Sequence, residues 1–206
     1  MADAGILAWE QKYIYELWRP VVGIREHDES MGPEPTESDN DISDNCDPLW
    51  LPLGAPNSNS NKKNFTPPFP AYPSGHATFG AAALHMTRLF YGVPIGDKKP
   101  DNLFNGLDFV SDEFNGITTD NKGTVRPRHL RNFPDGLWQM IIENGRSRVY
   151  LGVHWVFDAF AVKDNGTPDL TKTDKEGNPI GGVPLGINIA EDIYLAGGGK
   201  GPKKSK

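Results

Sequence analysis

Three short stretches of the 206-residue sequence carry basic and imidazole side chains that together suit one small anion. The first stretch, Lys-Tyr-Ile-Tyr-Glu-Leu-Trp-Arg-Pro, runs from Lys12 through Arg19 to Pro20. Seven residues make two helical turns, so both cations are predicted to lie on one face, about 10.5 Å apart in rise. Two long cationic side chains at that separation can converge on an oxyanion. Taken alone, the same pattern also fits a solvated surface pair.

The second stretch is Pro73-Ser74-Gly75-His76, which is typical of the start of a helix. A helix N-terminus offers free backbone N–H groups and a partial positive charge, so it favours anions. Ser74 can cap the helix, and Gly75 lets the backbone approach a ligand closely. His76 falls in the first turn, where a neutral imidazole can exchange protons. His85, nine residues further on, is predicted to face away from this end and to pack.

The third stretch, residues 147–158, contains Arg148, His154 and Asp158. The planar guanidinium of Arg148 suits a tetrahedral oxyanion. His154 and Asp158 are four residues apart, so on a predicted helix one lies above the other. The carboxylate can then accept from Nδ1–H and leave the Nε2 lone pair free for a metal ion or for nucleophilic attack. Alone, this pair also fits a hydrogen-bonded structural histidine.

The elements that must position these residues are predicted to be helices. Apolar residues recur at helical spacing over residues 5–18, and Pro20 is expected to end that helix. A second helix is predicted from His76 to Gly92, and a third is predicted to open with Pro134 in its first turn, where proline is favoured. Short helices are expected near residues 108–115, 154–162 and 187–196. Little strand is indicated, so the fold class is all-α: a helical bundle with long loops.

Charge is unevenly distributed along the chain, which has a formal net charge of -6. Nine acidic residues and no Lys or Arg lie between Glu26 and Asp47, which is typical of a solvated loop. We therefore expect one domain over residues 1–196, with an acidic loop at about 26–47 and a disordered basic tail at 197–206. A net acidic protein with one small basic tail is a poor candidate for binding nucleic acid.

Other features of the composition exclude further classes of protein. No stretch is long and apolar enough for a membrane span, and the first residues show no secretory signal pattern. The single cysteine, Cys46, excludes an internal disulfide framework and a cysteine-based zinc site. The compartment stays unknown, and secretion and homo-oligomer formation remain open.

The three stretches occur in a fixed order: K-x6-R-P, then P-S-G-H, then S-R-x5-H-x3-D. Together they supply three cations, two imidazoles and an anion-binding turn, which suits a trivalent tetrahedral anion. This order resembles the superfamily of type 2 phosphatidic acid phosphatases and vanadium haloperoxidases. The segments PPFPAYPSGHATFGAA and ENGRSRVYLGVHWVFDA resemble the vanadium-dependent chloroperoxidases in particular. The resemblance runs from about residue 9 to residue 194 and corresponds to the C-terminal helical bundle of those proteins.

The resemblance implies one vanadate per chain and a role for each matching residue. It implies His154 as the single protein ligand to vanadium and His76 as the acid–base residue. It places Trp9 and Phe69 at the halide site; the related algal bromoperoxidases have histidine in place of Phe69. Asp158 would orient the ligand histidine. The residues that would hydrogen-bond the vanadate oxygens are Lys12, Arg19, Ser74, Gly75 and Arg148, and Lys12 would also act on the bound peroxide.

The reaction implied is the oxidation of chloride or bromide by hydrogen peroxide to hypohalous acid, which halogenates small organic acceptors. Two alternatives stay open. The same residues would serve an acid phosphatase, with His154 as nucleophile and His76 as general acid. The chain would also be inert if the first bundle of the longer family members is needed to hold the site. Trp9, Phe69 and the PFPAYPSGHA context favour the haloperoxidase.

Overall fold

The structure, a computed structural model, describes residues 1–26, 47–54, 66–119 and 123–199. Over these ranges it is mainly helical, which confirms the all-α prediction. The helices are α1 (Ala2–Tyr15), α2 (Pro20–Arg25), α3 (Gly75–Phe90), α4 (Gly136–Tyr150), α5 (Val156–Ala159) and α6 (Gly182–Ala196), with one 3-10 turn at Asp112–Phe114. Two short strands, β1 (Ala161–Val162) and β2 (Pro168–Asp169), pair antiparallel.

The first helix ends earlier than the apolar spacing predicts. Glu16 adopts a left-handed conformation (φ 47°) and donates its N–H to the carbonyl of Lys12, which closes α1 at Tyr15. Pro20 then begins α2 instead of ending α1, because its missing N–H costs nothing in a first turn. Arg19 is the extended N-cap of α2. The prediction that Lys12 and Arg19 share one helical face is therefore wrong.

The predicted helix at residues 154–162 is also wrong in extent. Only Val156–Ala159 is helical, since Phe160 is extended and leads directly into β1. The last helix is longer than predicted, because α6 begins at Gly182, immediately after Gly181 with φ 99°. Near residues 108–115 the chain forms only the short 3-10 turn. The third helix also begins later than predicted, because α4 starts at Gly136 with Asp135 as its N-cap, and Pro134 precedes its first turn.

The core forms where α3 packs against α6 and α4. Small residues on α3 meet larger apolar side chains of α4, α6 and the α5–β1 segment; the buried set includes Ala77, Ala81, Ile141, Phe160, Val183 and Ile187. Gly182 and Gly186 lie one turn apart on α6, and a Cβ at either would collide with the backbone of α3 at Ser74 or Thr78. The two glycines therefore let α6 lie directly on α3 and hold the first turn of that helix in place.

A buried polar network ties the far end of α3 to α4 and α6. His85 is fully buried, contacts Glu191 at 3.0 Å, and its Nδ1 lies 3.0 Å from Arg88. Arg88 binds Asp101 at 2.7 Å, and the Asp101 carboxylate accepts from two backbone N–H groups in the first turn of α4. This confirms the prediction that His85 faces away from His76 and packs in the interior, where its contacts stabilise the fold.

The predicted acidic loop and basic tail fall largely outside the described residues, which omit 27–46 and 200–206. Among the helices described, none has both the length and the apolarity needed to cross a membrane.

Candidate active site

The three predicted clusters converge at one place. Lys12 comes from α1, Arg19 from the link between α1 and α2, and Arg148 from the last turn of α4. All three cations are buried, with exposed fractions of 0%, 5% and 5%. They surround His154, at 4% exposure, beside the start of α3. Burying three cations together is unfavourable without a negative partner.

Lys12 donates to three backbone carbonyls. Its Nζ lies 2.9 Å from the carbonyl oxygens of Pro70 and Ala71 and 2.6 Å from that of Pro73. An ammonium group has three N–H donors, so all of them are used here. Binding the oxyanion that the resemblance implies would require one of these N–H groups to leave its carbonyl partner. Burial, and then the charges of Arg19 and Arg148, lower the pKa of Lys12 to about 7, although the charge of Asp158 acts in the opposite direction.

The two arginines retain unused donors. Arg19 donates through Nε to the Phe69 carbonyl at 2.9 Å and through Nη1 to the Val153 carbonyl at 2.7 Å. Its Nη2 is buried without a hydrogen-bond partner, and so is Nε of Arg148. Buried donors without partners are rare in proteins, and a guanidinium forms its strongest hydrogen bonds with oxyanions, so the two free donors favour an oxyanion ligand.

His154 is held as a neutral ring with a defined tautomer. Its Nε2 lies 2.9 Å from Nη1 of Arg19, which can only donate, so Nε2 must be the acceptor. Nδ1 therefore carries the hydrogen and donates to Oδ2 of Asp158 at 2.8 Å. Burial, and then the surrounding positive charges, hold the pKa of His154 far below its usual value. The predicted pairing of His154 with Asp158 is present, but it spans a turn and not a helical face.

Asp158 is the only acidic group in contact with His154 among the described residues. Its Oδ2 also accepts from the backbone N–H of Trp155 at 2.9 Å, while Oδ1 is buried with no partner. Burial raises the pKa of Asp158 to about 7, although the Trp155 bond and the charges of Lys12 and Arg19 act in the opposite direction. The carboxylate orients the imidazole and offsets part of the positive charge.

The first turn of α3 contributes polar groups to the site. Ser74 is buried, and its Oγ accepts from the Ala77 N–H at 3.4 Å, so it is the helix cap that the sequence predicts. A Cβ on Gly75 would lie 2.8 Å from the Trp9 ring, so this glycine lets the indole cover the first turn. His76 is exposed at the edge of the site. Partial burial and the three cations lower the pKa of His76 to about 4.

Trp9 and Phe69 form an aromatic wall beside the cations. Their ring centroids are 5.1 Å apart. Nζ of Lys12 lies 5.5 Å from the first centroid and 5.3 Å from the second, and the Arg19 guanidinium carbon lies 5.0 Å from the Phe69 centroid. These are cation–π distances. The wall is therefore apolar, next to positive charge, and suited to a weakly hydrated anion.

Sequence reasoning missed the partners that hold these side chains. Lys12 is held by the carbonyls of Pro70, Ala71 and Pro73, and Arg19 by those of Phe69 and Val153. Trp155 binds Asp158 through its backbone N–H. A carbonyl belongs to every residue, so no residue type signals it. Over the described ranges no group of three or more His, Cys, Asp or Glu side chains forms a metal-cation site. The donor set matches an oxyanion instead.

We expect sulfate binding to weaken as pH rises through about 7, where the pKa values of Lys12 and Asp158 lie. Deprotonation removes a positive charge from Lys12 and adds a negative charge to Asp158, so both changes disfavour an anion. Sulfate stays a dianion in this range, and affinity should fall above pH 7 by up to about tenfold per pH unit for each of the two groups.

Isothermal titration calorimetry from about pH 6 to about pH 9 measures this. Lys12→Met should make the pH dependence shallower and leave the part due to Asp158, whereas Lys98→Met, at a lysine outside the site, should leave it as in the wild type. A flat profile for the wild-type protein would contradict the assigned charges.

Comparison with known proteins agrees with the geometry. Residues 1–168 match the family of the VCPO second helical-bundle domain, which covers most of the chain. The protein belongs to this family. It is 39% identical to the vanadium chloroperoxidase of Curvularia inaequalis over 239 aligned positions, which include 95% of this chain. The chain spans 37% of the length of that relative.

Proposed function

We propose that this site holds vanadate and that the chain thereby oxidises halide with hydrogen peroxide to hypohalous acid. The observation that carries the proposal is a pair of buried, partnerless guanidinium donors, Arg19 Nη2 and Arg148 Nε, beside the neutral His154. The name of the Curvularia relative, vanadium chloroperoxidase, supports the same assignment.

The residues present fit vanadate. Three cations match a trivalent oxyanion, and the start of α3 adds the Ser74 hydroxyl and the N–H of Gly75. His154 would be the single metal ligand, through Nε2. That lone pair now accepts from Arg19 Nη1, so binding requires the guanidinium to turn its hydrogen toward the anion. The bond from Nδ1 to Asp158 can persist, which keeps the ligand in the required tautomer.

The balanced reaction joins hydrogen peroxide, halide and one proton to give hypohalous acid and water. When bound, vanadate supplies a Lewis acid that activates hydrogen peroxide without changing its own oxidation state. His76, with a pKa of about 4 before an anion binds, is neutral near pH 7 and can take a proton from hydrogen peroxide at an imidazole nitrogen. A bound anion favours the protonated ring, so His76 can also return that proton.

Trp9 and Phe69 would line the halide position. Their rings exclude water on one side, and Lys12 and Arg19 lie within cation–π distance of them. A halide at this wall gains attraction to the cations that strengthens as water is displaced. Small organic acceptors would then react with the hypohalous acid.

The test compares two activities of the 206-residue chain with and without added vanadate. Halogenation of monochlorodimedone is followed with hydrogen peroxide and bromide or chloride, and p-nitrophenyl phosphate hydrolysis is followed in parallel. Halogenation that depends on vanadate and halide supports the proposal. Ester hydrolysis without halogenation would assign the site to the phosphatase alternative. Absence of both activities would overturn the proposal and favour the interpretation as an inert partial chain.

A further inference from the structure

Trp155 contacts the chain on both sides of Arg19. Its Nε1 donates to the carbonyl oxygen of Trp18 at 3.0 Å, immediately before the arginine. Its six-membered ring lies against Gly23 in α2, where an added Cβ would be 2.9 Å from Cζ2 and 3.2 Å from Cη2. The indole therefore spans the short segment that carries Arg19, and the glycine makes room for it.

The backbone of Trp155 serves the other half of the site. Its N–H donates to Asp158 Oδ2 at 2.9 Å, and the same oxygen accepts from His154 Nδ1 at 2.8 Å. One residue is thus bonded through its backbone to the carboxylate that orients His154, and through its side chain to the segment that carries Arg19.

The other hydrogen bonds of Arg19 depend largely on its guanidinium group. Two of them run through the guanidinium itself, to the carbonyls of Phe69 and Val153, and the Nη1 hydrogen also points at His154. When an oxyanion binds, the Nη1 hydrogen at His154 would turn toward it and join the free Nη2, so the guanidinium contacts cannot all persist. The backbone needs anchors that do not depend on them. Within α2, the Arg19 carbonyl accepts from the N–H groups of Val22 and Gly23. Contacts to other parts of the fold are the bond from Ala71 N–H to the Leu17 carbonyl at 2.8 Å and the bond from the Trp155 indole to the Trp18 carbonyl.

We propose that Trp155 is a positioning residue that fixes the separation of Arg19 from His154 and so sets the affinity of the site for its oxyanion. The inference rests on the proposed function, because it concerns the same oxyanion site. Its physical basis is that charge-assisted hydrogen bonds from a guanidinium fork depend strongly on position. A shift of the Arg19 backbone would misalign both donors of the fork.

The first test is Trp155→Phe, which keeps a ring but removes the N–H and the atoms against Gly23. Affinity for orthovanadate and for sulfate, measured by calorimetry, should fall about tenfold, or about 1.4 kcal/mol. Trp138→Phe is the matched control, since Trp138 is a half-buried indole on α4 that stacks on Arg88 away from the site. It should leave anion affinity unchanged.

A double-mutant cycle separates positioning from general loss of stability. In an Arg19→Lys background, Trp155→Phe should weaken sulfate binding less than about twofold, because no fork remains to be aligned. A merely structural role predicts the same loss in both backgrounds, and that result would overturn the inference. Urea unfolding of every protein in the cycle shows whether it is folded under the conditions of the binding measurement.

Gly23→Ala provides a second route if Trp155→Phe does not fold. The added methyl group displaces the indole and should lower the affinity for orthovanadate and for sulfate by a similar factor. A wild-type protein that binds orthovanadate, with variants that bind it equally well, would overturn the role of Trp155 alone. A wild-type protein that binds neither anion would overturn the proposed function and this inference with it.

Discussion

Replacing His154 with alanine is expected to remove vanadium from the protein. His154 offers the one neutral nitrogen lone pair in contact with Arg19, so no other described side chain at the site can replace it as the ligand. Retained vanadium should fall at least about 100-fold after gel filtration, as measured by elemental analysis. Sulfate binding should change far less, because Lys12, Arg19 and Arg148 all remain.

His129→Ala is the control, since His129 is exposed and lies outside the site. It should retain vanadium at the wild-type ratio. Equal vanadium content in wild type and His154→Ala would contradict the ligand assignment. Loss of both vanadium and sulfate binding would instead mean that the substitution disrupts the cationic site as a whole.

The convergence of the basic and imidazole residues could be predicted from the sequence because it depends on residue types in a fixed order. Lys12, Arg19, Arg148 and His154 are polar residues that a helical domain does not need in its core, and the structure buries them together. The burial of α3 against α6 could be anticipated less well. It depends on Gly182 and Gly186, whose value appears only once the neighbouring backbone is placed.

The path of the chain between Lys12 and Arg19 could not be predicted, for a specific physical reason. Proline is compatible with the end of one helix and with the first turn of the next, so Pro20 fits both interpretations. The choice is made at Glu16, which adopts a left-handed conformation although it is not glycine. Tertiary contacts decide this, since Lys12 must reach three carbonyls on the segment before α3.

The pairing of His154 with Asp158 shows that residue spacing can predict a contact without predicting the local backbone structure. A separation of four residues matches one helical turn, and the prediction of contact was correct although the predicted helix was not. The carboxylate of Asp158 closes a turn by accepting from Trp155, three residues earlier, and this brings it to Nδ1 of His154. Spacing alone does not distinguish the two local structures.

Asp158 both orients the His154 ring and offsets the positive charge of the buried cations. Its removal should therefore lower the stability of the protein considerably. Asp158→Ala would leave the Nδ1 hydrogen of His154 and the Trp155 N–H without an acceptor and three buried cations without a nearby carboxylate. We expect the free energy of unfolding in urea at about pH 8 to fall by about 3 kcal/mol. Asp164→Ala, at an exposed position, should change it by less than about 0.5 kcal/mol.

Stabilisation by sulfate tests whether Asp158 balances the charge of the cations. An anion in the site replaces part of the lost negative charge, so saturating sulfate should stabilise Asp158→Ala more than it stabilises the wild-type protein. Asp158→Asn, which keeps an acceptor for Nδ1–H but loses the charge, should fall between the two. If sulfate stabilised all three proteins equally, the carboxylate would not be balancing the cations, and its role would be limited to orienting His154.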